Sequence, residues 1–240
     1  MQAIGVIPAR YSSSRFEGKV LASLAGKPMV QHVWEQAKKS QRLEDLVVAC
    51  DDERVYKAVN DFGGKAVFTA RGHASGTERL TEVVNPLDVK VIVNIQADEP
   101  LVQPSMIDSI VDALLEDDSL VVATVIKKIE HPEEIEDPHV VKVVFDKHLF
   151  ALYFSRHSIP FIRDEKPKEP IHYKHIGLYG YTKDFLFTYK TLAESKLEKL
   201  EKLEQLRILE NGYRIKLVET AFETFGVDTP EDLEKVRRYL

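Results

Sequence analysis

The residues best suited to chemistry fall in polar stretches that follow short apolar runs. The first is Pro8-Ala-Arg-Tyr-Ser-Ser-Ser-Arg-Phe-Glu-Gly-Lys19, directly behind Ala3-Ile-Gly-Val-Ile7. It gathers Arg10, Arg15 and Lys19 with the hydroxyls Ser12 to Ser14. Backbone N–H groups and hydroxyls cradle phosphate oxygens, and Arg and Lys neutralise them. Ligands of open α/β sheets sit beyond the carboxyl ends of the strands, which is where this loop begins. The plainer reading is a solvated basic turn. Gly-x-Gly-x-x-Gly is missing, and Gly18-Lys19 is followed by Val20 rather than Ser or Thr. The loop therefore suits a polyphosphate held without either common cradle.

Arg71-Gly-His-Ala-Ser-Gly-Thr-Glu-Arg79 is the second stretch. Arg71, Ser75 and Arg79 suit a ligand above the sheet; alternatively this is a βα connection whose Thr77 caps a helix over Glu78 to Val84. The third, Gln96-Ala-Asp-Glu-Pro100, follows the strongest strand signal, Val91-Ile-Val-Asn-Ile95. A carboxylate pair at a strand end can hold Mg²⁺, which takes one or two carboxylates plus substrate phosphates. Asp98 is the better placed of the two; the alternative is a solvated acidic loop. Two further carboxylates stand apart. Glu204 projects from an apolar strip if Leu197 to Leu209 is one helix, so it is either paired with an arginine or functional. Asp228 precedes the last helix, either as a turn residue or as a partner of Asp98.

The surrounding elements are those of a parallel α/β sheet. Strands are expected at Leu46 to Ala49, Ala66 to Phe68 and Leu120 to Ile126. Helices are expected from Lys27-Pro28 to about Ser40, from Val55 to Phe62 before Gly63-Gly64, and from Pro104 to Leu115. The second half changes character. Val140 to Phe145 and Phe150 to Ser155 read as an antiparallel pair, and Arg156 and His157 follow at once. Residues 162–170 read as a mobile loop. His175-Ile-Gly-Leu-Tyr-Gly-Tyr181 reads as a strand whose glycines mark a close approach. Ile215 to Val218 is a late strand, and Thr229-Pro230 starts the last helix with a cap and Pro at its first position.

A length of 240 residues with 44% hydrophobic content allows one full α/β core. The formal net charge of −6 argues against a general nucleic-acid binder. Cys50 stands alone, which excludes an intramolecular disulfide and suits a reducing compartment. No apolar run reaches a membrane span and no signal peptide is evident, so a cytoplasmic protein without membrane insertion is expected.

The segments IPARYSSSRFEGK, GHASGTERL, IVNIQADEP, VVKVV, ALYFSR, HIGLYGY, LEQLR and GVDTPEDLEKV together resemble the 3-deoxy-manno-octulosonate cytidylyltransferases, or CMP-Kdo synthetases. The resemblance spans the chain in order. It implies a single nucleotidyltransferase domain over 1–240: a Rossmann-like, mostly parallel sheet with helices on both faces and an antiparallel dimerisation insertion. About 1–128 would form the nucleotide-binding half and about 129–240 the sugar-binding and dimerisation half. It implies a homodimer, Mg²⁺, and transfer of CMP from CTP to Kdo for lipopolysaccharide synthesis, by in-line attack of a sugar hydroxyl on the α-phosphorus. Arg10, Arg15 and Lys19 would contact the triphosphate, and Arg71 and Ser75 the nucleotide. Asp98 and Asp228 would hold magnesium. Gln96, Arg156, His175, Tyr179, Glu204 and Gln205 would face the sugar acid. The chain departs from the family at Glu17, where Pro is common, at Cys50, where Thr is, and at Ala97, where Gly is. Glu17 is expected to point away from the phosphate loop. Competing expectations are a cytidylyltransferase for another acidic sugar such as a sialic acid, a dinucleotide-dependent oxidoreductase, and a nucleotide sensor without turnover.

Overall fold

The computed structural model describes residues 1–12, 16–73, 76–163 and 171–239. In chain order the first half runs β1 (Ala3–Ala9), a short hairpin β2 (Ser23–Leu24) and β3 (Lys27–Pro28), α1 (Met29–Ala37), β4 (Asp45–Cys50), α2 (Glu53–Asp61), β5 (Ala66–Phe68), α3 (Gly76–Val84), β6 (Val91–Asn94), α4 (Pro104–Glu116) and β7 (Val122–Lys128). The second half adds α5 (Glu133–Glu136), β8 (Lys142–Phe145), β9 (Ala151–Ser155), β10 (Tyr173–Thr182), α6 (Lys183–Thr191), α7 (Lys196–Glu201), α8 (Gln205–Glu210), β11 (Lys216–Glu219) and α9 (Pro230–Val236).

The main sheet has the order β11-β7-β10-β6-β1-β4-β5. β4 and β6 lie parallel to β1 on its two sides, β5 is parallel to β4, and β11 is parallel to β7. Only β10 runs against its neighbours in this path, antiparallel to both β6 and β7. Its last residues, Tyr179 to Thr182, pair with β6, while Tyr173 and Lys174 pair with β8. Because β7 occupies the other edge of β10, β6 and β8 share one edge. The stretch around Gly177 lies between them. β8 and β9 form the antiparallel pair expected from the sequence. Thus β10 and β11, from the second half, are built into the sheet that the first half begins.

Successive strand residues face opposite sides, and β1 shows it. Ala3, Ile7 and Ala9 join one core cluster with Val30, Val33, Val55, Ile107 and Ile110, contributed by α1, α2 and α4. Ile4 and Val6 join the other, with Leu80, Val84, Phe185 and Leu206 from α3, α6 and α8. Helices therefore cover both faces, as expected.

Two local expectations fail, and one helix was not foreseen. Thr77 lies inside the first turn of α3, which starts at Gly76, and does not cap it. The leucine-rich segment is not one helix. α7 stops at Lys202, a non-glycine residue at φ 55°, and α8 begins at Gln205. Glu204 thus sits at the start of a new helix rather than on a continuous apolar strip. The fully formed α6 has no counterpart in the sequence reading.

Candidate active site

Lys19 is placed by its own loop. Gly18 adopts φ 68°, and its N–H donates to the Tyr11 carbonyl at 2.9 Å. A side chain there would also press on the Tyr11 ring at 3.0 Å, so glycine answers to both the backbone and the space. The next residue projects its ammonium between two carboxylates. Lys19 Nζ donates to Asp98 Oδ2 at 2.6 Å, to Asp228 Oδ1 at 2.9 Å and to the Val227 carbonyl at 3.1 Å. Burial lowers the Lys19 pKa, but Asp98 and Asp228 outweigh it and the net shift is upward. Asp98 comes from the end of β6 and Asp228 from the turn before α9. The structure therefore brings together the two aspartates that the sequence reading paired.

Glu99 stands beside them. Its Oε2 is buried without a hydrogen-bond partner. Burial first, then the charges of Asp98 and Asp228, push its carboxyl up to about 8, opposed by Lys19.

Arg10 leaves the end of β1 half-buried, and its Nη2 is buried without a partner. Burial and the Arg79 guanidinium lower its pKa, while Asp51, Glu204 and Glu78 oppose them. Arg79 is fully buried; its guanidinium bonds Asp51 Oδ2 at 2.7 Å and the Thr69 hydroxyl, leaving Nε unpartnered. Two neighbouring guanidiniums with buried N–H groups to spare suit an anion.

A cavity of about 270 Å³ opens where β6 and β8 part along β10. Gln96, His175, Tyr179, Glu204 and Gln205 line it, so five of the six residues expected at the sugar acid meet here. His175 is partly exposed to the cavity, but desolvation by the surrounding protein lowers its pKa to about 3, and its Nε2 lies 3.0 Å from the Thr124 hydroxyl. It is a neutral imidazole at neutral pH. Asn94 Oδ1, Tyr179 Oη and Gln205 Nε2 are buried without hydrogen-bond partners, and all three residues border this cavity. Buried polar atoms are normally paired, so these are available to a ligand rich in hydroxyls. Glu204 is exposed at the cavity's edge. The protein around its carboxyl, and then Glu198, raise its pKa against the pull of Arg207.

Arg156 is not among the residues that line the cavity. Its Nε donates to the Glu201 carbonyl at 2.8 Å and its Nη1 to the Pro138 carbonyl at 2.9 Å. The guanidinium is taken up by backbone, because β9 ends against the α7–α8 corner. Arg71 also lies apart, at the surface, with Nε 3.1 Å from the Asp51 carbonyl. Arg15 and Ser75 fall outside the described residues. Glu17 is exposed, and its charge acts on the Arg54 guanidinium, which stacks on Tyr11 at 3.3 Å.

The sequence reading missed Thr77, Asn94, Tyr181 and Tyr189 as cavity residues. Tyr181 had a signal: His175, Gly177, Tyr179 and Tyr181 alternate along one strand. Tyr189 had none, since it arrives on α6.

For a divalent cation, the fit rests on Asp98 and Asp228, which already share one cationic partner. No cluster of three or more His, Cys, Asp or Glu suited to a metal exists among the described residues. The protein thus offers two carboxylates, and phosphate oxygens and water would complete an octahedron, as Mg²⁺ prefers.

The sequence profile of the cytidylyltransferases matches residues 4–217. The chain is 53% identical over 235 residues to the 3-deoxy-manno-octulosonate cytidylyltransferase of Solibacter usitatus, covering 98% of this chain and 93% of that one. It is 52% identical to the enzyme of the same name from Syntrophus aciditrophicus, covering 98% and 96%. Among solved structures it is similar to CMP:2-keto-3-deoxy-manno-octonic acid synthetase complexed with CTP. That match has a TM-score of 0.94 at 44% identity and covers 100% of this chain and 98% of the other.

Proposed function

We infer the function from one premise: the chain belongs to the 3-deoxy-manno-octulosonate cytidylyltransferase family. It transfers CMP from CTP to Kdo, giving CMP-Kdo and pyrophosphate for lipopolysaccharide synthesis. The alternative of another acidic sugar, such as a sialic acid, is not favoured by these relatives. The observation on the molecule that carries the reading is the set of unpartnered polar atoms on Asn94, Tyr179 and Gln205, in a cavity whose wall runs through Gln96 toward Asp98.

The division of labour is as follows. The cavity residues Gln96, His175, Tyr179, Glu204 and Gln205 orient the sugar acid. Neutral His175 offers a polar edge without a charge that would compete for the sugar's carboxylate. Arg10 and Lys19 neutralise the triphosphate, with Arg15 as a further contact and Arg71 and Ser75 toward the nucleotide. The sugar hydroxyl attacks the α-phosphorus in line, its proton leaves to solvent or a base, and the bond to pyrophosphate breaks. Positioning and charge neutralisation carry most of such a transfer. Mg²⁺, held by Asp98 and Asp228, would supply positive charge to the phosphate oxygens.

The chain acts as one domain in this reading. A homodimer through the second half is supported by apolar side chains left bare there: Leu152 on β9 is 62% exposed and Phe161 87%. No helix among the described residues is long and apolar enough to cross a membrane. A cytoplasmic location is supported by CTP as substrate and by a free, buried Cys50.

The deciding experiment is pyrophosphate release from CTP with Mg²⁺ over a panel of sugar acids, repeated with UTP. Kdo with CTP should be the best pair. Equal turnover with UTP, or none with Kdo, would overturn the reading.

A further inference from the structure

Residues 220–228 leave the edge strand β11 and cross the strand ends to reach Lys19. At the start, the Thr220 N–H donates to the Ile126 carbonyl at 2.9 Å; at the end, the Val227 N–H donates to the Asp98 carbonyl at 2.9 Å. No helix or strand forms between them. Packing enters only from Phe225, which stacks on Tyr239 at 4.9 Å and lies against the cluster of Leu24, Met29 and Leu233. Ala221 and Phe222 are exposed, and Val227 is the first buried residue along the way. A groove of about 510 Å³ is lined by Thr224, Phe225 and Gly226 together with Glu99, Glu134 and Lys174.

What holds the middle is charge. Glu223 accepts from Lys174 Nζ at 2.5 Å through Oε1, and Lys127 Nζ lies 3.3 Å from its Oε2. Lys127 and Lys174 are paired residues on β7 and β10, with side chains only 4% and 10% exposed. Like charges directly opposite on neighbouring strands repel, and buried charges need counter-charges. Glu130 serves Lys127 and Glu134 serves Lys174, each from its own side. Among the described residues, Glu223 is the carboxylate that touches both ammoniums.

We propose that Glu223 is a positioning residue: it clips the 220–228 strap to β7 and β10 and so delivers Asp228 to Lys19 and Asp98. The proposal rests on the reading of Asp228 as a metal ligand only for its catalytic consequence. The geometry of the strap stands without it.

The test uses the whole chain without metal. Amide hydrogen exchange is followed at residues 224–228, and Mn²⁺ binding is measured by electron paramagnetic resonance. Glu223→Gln keeps the shape and removes the charge. It should speed exchange of the Val227 amide by about tenfold or more, while the amides of β1 and β6 keep their protection. It should also weaken Mn²⁺ binding, and in turnover raise the metal requirement without moving the KM for the sugar acid. Lys127→Met, which removes one of the two ties, should give a smaller rise in exchange. A merely stabilising role would lower Tm and leave Val227 exchange and Mn²⁺ affinity at wild-type values; that result overturns the proposal. Asp228→Asn tests the reading beneath it separately: unchanged Mn²⁺ affinity there, beside fast Val227 exchange in Glu223→Gln, would remove the metal role from Asp228 and keep the clip.

Discussion

The Val227 N–H donates to the Asp98 carbonyl at 2.9 Å, so the backbone just ahead of Asp228 is bonded to the residue whose side chain shares Lys19 with it. The two carboxylates are thus fixed relative to each other by main chain as well as by charge. Removing either charge should cost about 10²-fold or more in turnover, by the scale of one preorganised electrostatic contact. CTP affinity should fall less, because Arg10 remains. Since the pair acts as a unit, Asp98→Asn combined with Asp228→Asn should be little worse than the worse single variant. The measurement is kcat against Mg²⁺ concentration. Full activity and an unchanged Mg²⁺ dependence in Asp228→Asn would return that residue to a turn before a capped helix.

Glu204 borders the sugar cavity and not the Lys19 cluster. Glu204→Gln should raise the KM for Kdo by about tenfold, the loss expected when one hydrogen bond to a charged group goes. The KM for CTP should stay near its original value. Loss of CTP affinity with the sugar kinetics intact would place Glu204 on the wrong side of the site.

The two glycines of β10 should behave oppositely. A Cβ on Gly180 would lie 2.2 Å from Ile110 Cγ2 and 2.9 Å from Leu114 Cδ1. Gly180→Ala should therefore destabilise the fold by about 1–3 kcal/mol, as overpacked cores do. A Cβ on Gly177 meets nothing within 4 Å, and Gly177 borders the cavity. Gly177→Val should change stability by no more than about 0.5 kcal/mol yet obstruct Kdo. Thermal unfolding beside Kdo kinetics separates the two; equal Tm losses would contradict this assignment.

Glu99 gives the stability of the metal-free protein a pH dependence. Its folded pKa is raised to about 8 from the ordinary glutamate value of 4.5. Between those values the folded state keeps a proton that the unfolded state has lost, so this group's contribution declines as pH rises through that window. Below it the group is neutral in both states and costs nothing; above about 8 the full penalty applies. Glu99→Gln should remove this slope. Tm measured from pH 5 to 9 in the presence of a chelator should show the variant gaining on the wild type toward high pH. Parallel curves would mean that Glu99 ionises normally.

Much of this site could be read from the chain because its chemistry sits where strands stop. Val91 to Val93 are apolar and β-branched, and the polar residues beyond the strand, Gln96 and Asp98, fall into the cavity and the Lys19 cluster. Thr229 and Pro230 marked a helix start, and the structure adds a capping box with Asp232. Arg156 was not readable in the same way. Its partners are the carbonyls of Pro138, Glu201 and Lys202, and a carbonyl has no residue type to betray it. The break at Lys202 was hidden by leucines at every third position, a pattern that continues through the corner, and the left-handed residue there is not the glycine that usually announces such a stop. α6 escaped because its buried residues, Phe185, Leu186 and Tyr189, are aromatic or few, and give no extended helical period.

The strap has a temporal meaning too. Lys19 and Asp98 are synthesised first, and Lys19's second carboxylate follows it by 209 residues. A ribosome-bound chain that has already made β1 and β6 still lacks the residue that completes the pair. The order of translation thus sets the order of assembly, and the site closes only when residue 228 has emerged and crossed back over the sheet. A message cut short before codon 220 would encode every residue that lines the sugar cavity and none of this closure.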